Sequence, residues 1–180
     1  MENELYQAAG NGRGEKVKEI LKNNLTINVN QQNRGGWGAL NSSCRGGHDS
    51  IVAILLAHPD IDVNKKDING RTPFMYACVN GHTLCVRLLL KDSRVKVMER
   101  SGDGYTPLRE AAYRGRLDVI KWWIASGREM DLGEPENIYT DALWAARNPP
   151  QGKGARAIRK ITNSLYSLFL FSLHLSFELQ

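Results

Sequence analysis

Glycine recurs along this chain with a fixed step: Gly36, Gly70 and Gly104 lie 34 residues apart, and so do Gly47, Gly81 and Gly115. Other residue types keep the same step. Thr72, Thr106 and Thr140 form one column, Val29, Val63 and Val97 a second, and Ile54, Leu88 and Trp122 a third. Leu56, Leu90 and Ile124 form a fourth, and His48 and His82 share a column that Arg116 continues. A period of this size marks stacked supersecondary units rather than one irregular core. The first unit slips by one in its helices. Leu5, Ala9, Gly12 and Leu21 precede Leu40, Cys44, Gly47 and Leu56 by 35, while Val29 to Val63 is again 34. One extra residue between Leu21 and Val29 accounts for the slip, and a surface loop absorbs it.

Each unit reads as two short helices and an extended loop. In the third, Thr72 is the cap and Pro73 the first helical residue. Phe74, Ala77 and Cys78 then share a face, and Asn80-Gly81 ends the helix because glycine accepts positive φ. A second helix is expected over about Thr83 to Leu90, followed by a polar loop from Lys91 to Gly104 in which Val95 and Val97 alternate with polar residues. Each helix is shorter than the roughly 12 to 15 residues that are marginal in water, so it is stable only by burying a face on the next unit.

The motifs of these units resemble the ankyrin repeats: Gly70-Arg71-Thr72-Pro73-Phe74-Met75 with Ala77-Cys78 and Gly81-His82, then Gly104-Tyr105-Thr106-Pro107-Leu108-Arg109 with Ala111-Ala112 and Gly115-Arg116. The second unit, Gly36-Trp37-Gly38-Ala39-Leu40-Asn41, is degraded but in phase. The resemblance covers about Glu4 to Arg147. It implies an all-α repeat solenoid of stacked helix-turn-helix units with protruding loops, and a protein that holds a partner rather than catalysing a reaction. The repeat domain is taken as residues 1–148, with units at about 1–35, 36–69, 70–103, 104–137 and a partial unit at 138–148. The family's histidine after Thr-Pro-Leu is replaced by Asn41, Met75 and Arg109, so the ties it makes between loops are weakened or remade. Unit two lacks a Thr-Pro start, and units one and two are expected to fray before three and four.

Composition narrows the function. Of 180 residues only 3 are cysteine, too few for a disulfide-dense secreted scaffold. The formal charge of +5 is diffuse: Lys153, Arg156, Arg159 and Lys160 against Glu178 carry +3 of it in residues 151–180. That is a poor footprint for a nucleic-acid binder. The acidic start, Met1-Glu2-Asn3-Glu4, has neither the basic head nor the apolar run of a targeting segment, which places the protein in the cytosol or nucleus by expectation.

A search for chemistry comes up empty. His48 and His82 occupy a repeat column and are read as bridges between backbone groups of neighbouring helices, and His58 has no partner in sequence. Cys44 and Cys78 share a column on helices expected 8 to 10 Å apart, too far for a disulfide. No Cys and His spacing suggests zinc. Asp60, Asp62 and Asn64 would begin a calcium loop, but Lys65 and Arg71 stand where glycine and glutamate are required. Gly152-Lys153-Gly154 lacks the rest of a phosphate loop. No two carboxylates are placed as a buried pair by pattern. The chain is therefore read as no enzyme, with no cofactor and no metal.

The resemblance also implies where a partner is held: at the loop tips, just before Thr-Pro, and after the Ala-Ala pair. The column before Thr-Pro is Trp37, Arg71, Tyr105 and Tyr139, and the column after the small pair is Arg45, Val79, Tyr113 and Arg147, with Asn80 and Arg114 as neighbours. The tips supply Gln32, Arg34, Lys66, Ile68, Arg100 and Asp103. Trp, Tyr and Arg are the types enriched at interface hot spots. The surrounding arginines favour an acidic or phosphorylated peptide or protein surface as partner. Trp37 is also read as able to fold over the loop of the next unit. Trp122 and Trp123 are expected in the core, and Trp144 as core or cap. The chain is expected to act as a monomer. Two other readings stay open: an anionic-surface or nucleic-acid binder using the arginine-rich face and basic tail, and a structural fragment of a larger array.

The fifth unit begins with Thr140-Asp141-Ala142-Leu143-Trp144-Ala145-Ala146 and is then broken by Pro149-Pro150. Residues 149–180 form a divergent tail. Leu165 to Leu179 is rich in Leu and Phe but too short and interrupted for a secure membrane span. It reads as a capping helix, as a poorly folded tail from an altered reading frame or splice form, or as a membrane anchor with a basic flank.

Overall fold

The computed structural model describes residues 2–130, which form eight helices in four pairs. These are α1 (Glu2–Gly10), α2 (Gly14–Asn23), α3 (Ala39–Gly46), α4 (Asp49–Leu56), α5 (Pro73–Asn80), α6 (Thr83–Lys91), α7 (Pro107–Tyr113) and α8 (Leu117–Ser126). The odd-numbered helices pack in one row and the even-numbered in a second, each pair lying against the next. No strand occurs among the described residues. The architecture is the all-α repeat solenoid read from the sequence. The readings that fall on Leu132, Tyr139 to Arg147 and the tail lie outside the described residues.

Local chemistry starts and stops each helix. The Thr72 hydroxyl accepts from the Met75 amide at 3.2 Å, and the Thr106 hydroxyl from the Arg109 amide at 3.2 Å, each with proline following. α3 starts after Gly38 without a side-chain cap. At its end Gly47 has φ of 77°, and α5 ends at Gly81 with φ of 78°. These two glycines have a second use. A Cβ at Gly47 would stand 2.5 Å from the His82 ring, and one at Gly81 would stand 2.7 Å from Arg116. The missing side chain makes room for a residue arriving from the next unit.

That residue ties the units together. His48 Nε2 lies 3.1 Å from the Gly10 carbonyl and His82 Nε2 lies 2.9 Å from the Arg45 carbonyl. Arg116 Nε donates to the Val79 carbonyl at 3.0 Å. The histidine column thus bridges backbone between helices, and arginine does the same work where histidine ends. Two further columns act alike. Asn30 donates to the Asp60 carbonyl at 2.6 Å and accepts from the Asp62 amide at 2.8 Å; Asn64 repeats this with the Arg94 carbonyl at 2.9 Å and the Lys96 amide at 2.8 Å. Arg94 donates to the Leu56 carbonyl at 2.8 Å, and Arg128 to the Leu90 carbonyl at 3.2 Å.

The core runs between the two helix rows. Ile51, Leu55, Phe74, Leu89 and Trp123 are fully buried, each removal from water contributing about 1.5–3 kcal/mol for side chains of this kind. Phe74 and Trp123 meet edge to face, ring centres 4.9 Å apart. Val95 and Val97 are buried while Lys96 and Met98 face out, the alternation the loop sequence shows. Trp122 is a correction. It is 41% exposed rather than core, with the Arg87 guanidinium 3.9 Å above its ring. One helical step from buried Trp123 turns it to the outer surface, where the cation covers it.

Candidate partner-binding groove

A repeated turn builds the tips. The Asn33 side chain accepts from the amides of Gly35 and Trp37 at 2.9 and 3.0 Å. Asp67 accepts from the amides of Asn69 and Arg71 at 3.0 and 2.8 Å, and the Ser101 hydroxyl from the Tyr105 amide at 3.3 Å. Each turn also closes through the backbone: Asn33, Asp67 and Ser101 donate to the carbonyls of Trp37, Arg71 and Tyr105 at 3.0, 3.1 and 3.0 Å. The Gly102 amide donates to the Asn69 carbonyl at 2.8 Å, and Gln32 to the Lys66 carbonyl at 2.9 Å, so successive tips are held in register. The aromatic and arginine column before each odd-numbered helix is fixed by this device.

In the second and third units the column forms a ledge. Trp37 is half-buried and its ring lies 4.7 Å from that of Tyr76 on α5, tilted by 40°. It therefore packs on the next unit's helix rather than on its loop. Arg45, at the end of α3, is exposed and places its guanidinium 5.0 Å from the Trp37 ring centre. Tyr76 donates to Asp67 at 2.6 Å. Burial first, and the bond to Asp67 second, hold its phenol well above the ordinary value, while Arg71 and Arg45 pull the other way. Arg71 is half-buried, and its Nε is buried without a hydrogen-bond partner. A pocket of about 460 Å³ opens beside this ledge, with Tyr6, Asn33, Trp37, Ser42 and Arg45 among its lining.

The fourth unit is arranged differently. Arg109 lies 3.6 Å over the Tyr105 ring and 5.4 Å from that of Tyr113. It is buried, and its guanidinium bonds to Glu110 at 2.7 Å. Arg114 reaches the other Glu110 oxygen at 3.5 Å. At the tips, Lys66 pairs with Glu99 at 2.6 Å and donates to the Arg100 carbonyl at 3.3 Å, while Arg100 donates to the Gly104 carbonyl at 3.0 Å. Arg34 is exposed at its tip. The loss of the family's histidine is partly remade, since Asn41 donates to the Lys65 carbonyl at 3.1 Å. Met75 in that column is buried.

Val79 is a correction. It was expected to face a partner with Arg45 and Tyr113, yet it is 6% exposed and belongs to the core. α5 is flanked by α3 and α7, so a short apolar side chain there is covered where a long one reaches out. Asp67, Tyr76 and Glu110 are the site residues that sequence reasoning missed. The signal for Asp67 was present: Asn33, Asp67 and Ser101 are themselves 34 apart. Tyr76 and Glu110 gave none, being single occurrences in columns read as helix interior.

Paired helices in two rows and tips held in register define a non-catalytic helical-repeat protein. The model for ankyrin repeats (3 copies) matches residues 2–67 and 60–134, and the chain belongs to that family. A search of curated proteins returns no match. Among the described residues no group of His, Cys, Asp or Glu is placed to hold a metal ion, and no helix is long and apolar enough to cross a membrane.

Proposed function

We propose that the chain is an adaptor that holds a segment of another protein, acidic or phosphorylated, along the odd-numbered helices and the tips. The observation that carries this reading is the preformed row of Trp37, Arg71 and Tyr105, each fixed by the same turn. Rigid rings and guanidinium groups presented without an ordering cost are what peptide recognition favours. The readings as a nucleic-acid or anionic-surface binder gain less support, because Lys66, Arg109 and Arg114 are engaged by carboxylates of the chain itself. Three free, buried cysteines fit a reducing compartment, cytosol or nucleus.

The test is selection of 12-residue peptides from a display library on the full chain, followed by affinity measurement against variants. Tyr105→Ala and Tyr113→Ala should each weaken the selected peptides about tenfold or more, the effect of losing an interface anchor. Lys121→Ala, on the exposed side of α8, should leave them unchanged. Peptides that bind all variants alike, with circular dichroism showing each variant folded, would remove the groove from consideration.

A further inference from the structure

The arginines of the groove fall into two groups. Arg109 and Arg114 share Glu110, and Lys66 has Glu99. Among the described residues no carboxylate forms an ion pair with Arg45 or Arg71. Both lie close enough to Tyr76 for their charges to act on its phenol, and Arg45 also covers the adjoining Trp37 ring. The one acidic group in contact with the ledge is Asp67. Its oxygens are taken by the Tyr76 hydroxyl and by the amides of Asn69 and Arg71. Two guanidinium groups against one carboxylate leave one positive charge in excess. The Arg71 Nε is also a buried donor with no acceptor, an unfavourable state that a ligand oxygen relieves.

From this we propose that the Trp37–Tyr76 ledge seats one carboxylate of the bound peptide, an Asp or Glu side chain, between Arg45 and Arg71. The inference rests on the groove reading above and narrows it. A carboxylate balances the single excess charge. A phosphate dianion would leave a negative charge uncompensated beside half-buried rings and the Asp67 carboxylate. The Tyr105–Tyr113 end carries no comparable excess, since Glu110 lies between Arg109 and Arg114. The acidic residue of a bound segment therefore sits over units two and three.

The probe is the capped peptide acetyl-Ala-Ala-Glu-Ala-Ala-amide, titrated into the full chain while the Trp37 indole N–H is followed by NMR, its peak assigned by its loss in Trp37→Phe. Its Gln and phosphoserine analogues are titrated alongside. A saturable shift is expected with the Glu peptide, at least about tenfold weaker binding with Gln, and binding no tighter with phosphoserine than with Glu. Arg71→Gln and Arg45→Gln should each reduce the Glu peptide to the level of Gln, and Arg114→Gln should not. Equal binding of Glu and Gln, tighter binding of phosphoserine, or indifference to both substitutions in spectra that remain folded would overturn the proposal. A library peptide that needs Tyr105 and Tyr113 but has no acidic residue would overturn it too, and would leave the adaptor reading intact.

Discussion

His82 illustrates how much a single residue contributes when its column recurs. Its ring spans from one unit to the Arg45 carbonyl of the unit before, over the space that Gly47 leaves open. Arg116 makes the equivalent bond to Val79 with a different side chain. The requirement is a donor of sufficient reach, not an imidazole. His82→Ala is expected to lower stability by about 1 kcal/mol, the net worth of such a hydrogen bond, while His82→Arg keeps most of it. Urea denaturation of the two variants measures this. If arginine falls as far as alanine, the equivalence of the column is wrong.

At the scale of the element, the exit from α6 is held by Asp92. Its carboxylate accepts from Arg94 Nε at 3.0 Å, from Arg94 Nη2 at 2.7 Å and from the Arg94 amide at 3.0 Å. The Arg94 side-chain bonds, first among the causes, hold the Asp92 carboxyl below the ordinary aspartate value. A group depressed in the folded state contributes stability above its unfolded value, about 3.9, and loses it as pH falls through the folded one. Asp92→Asn should therefore destabilise the protein at pH 7 and much less at pH 3. Denaturation midpoints at the two pH values test the sign, and an unchanged gap between variant and wild type would refute it. The capping threonines act on the same scale: α5 and α7 have them and α3 does not.

For the whole molecule, stability is expected to be graded along the stack, because each unit is held mainly by its neighbours. In α5 seven residues, Pro73 to Val79, are buried, whereas α2 buries only Val17 and Ile20. Native-state hydrogen exchange should show α2 amides exchanging before those of α5 and α6, in line with the weaker start of units one and two. Uniform protection across these helices would mean that the stack opens as one body. The groove belongs to this scale as well. Trp37, Arg45, Arg71 and Tyr76 come from two units and meet only because the units are stacked in register.

The step of 34 residues, with threonine, proline and glycine at fixed offsets, determined by itself the helix pairs, their caps and the register of the stack. These depend on local φ/ψ preferences and on a periodic apolar pattern, both of which are written residue by residue. The histidine bridges were legible for the same reason. Tertiary structure alone decided which groove residues reach a partner. Val79 sinks because helices flank it on both sides, and Trp122 emerges because Trp123 takes the inward direction. Pairing with Glu110 and Glu99 neutralises some cations and leaves Arg45 and Arg71 with their charge. Charge compensation depends on distances between units, and a column of letters carries none of those distances.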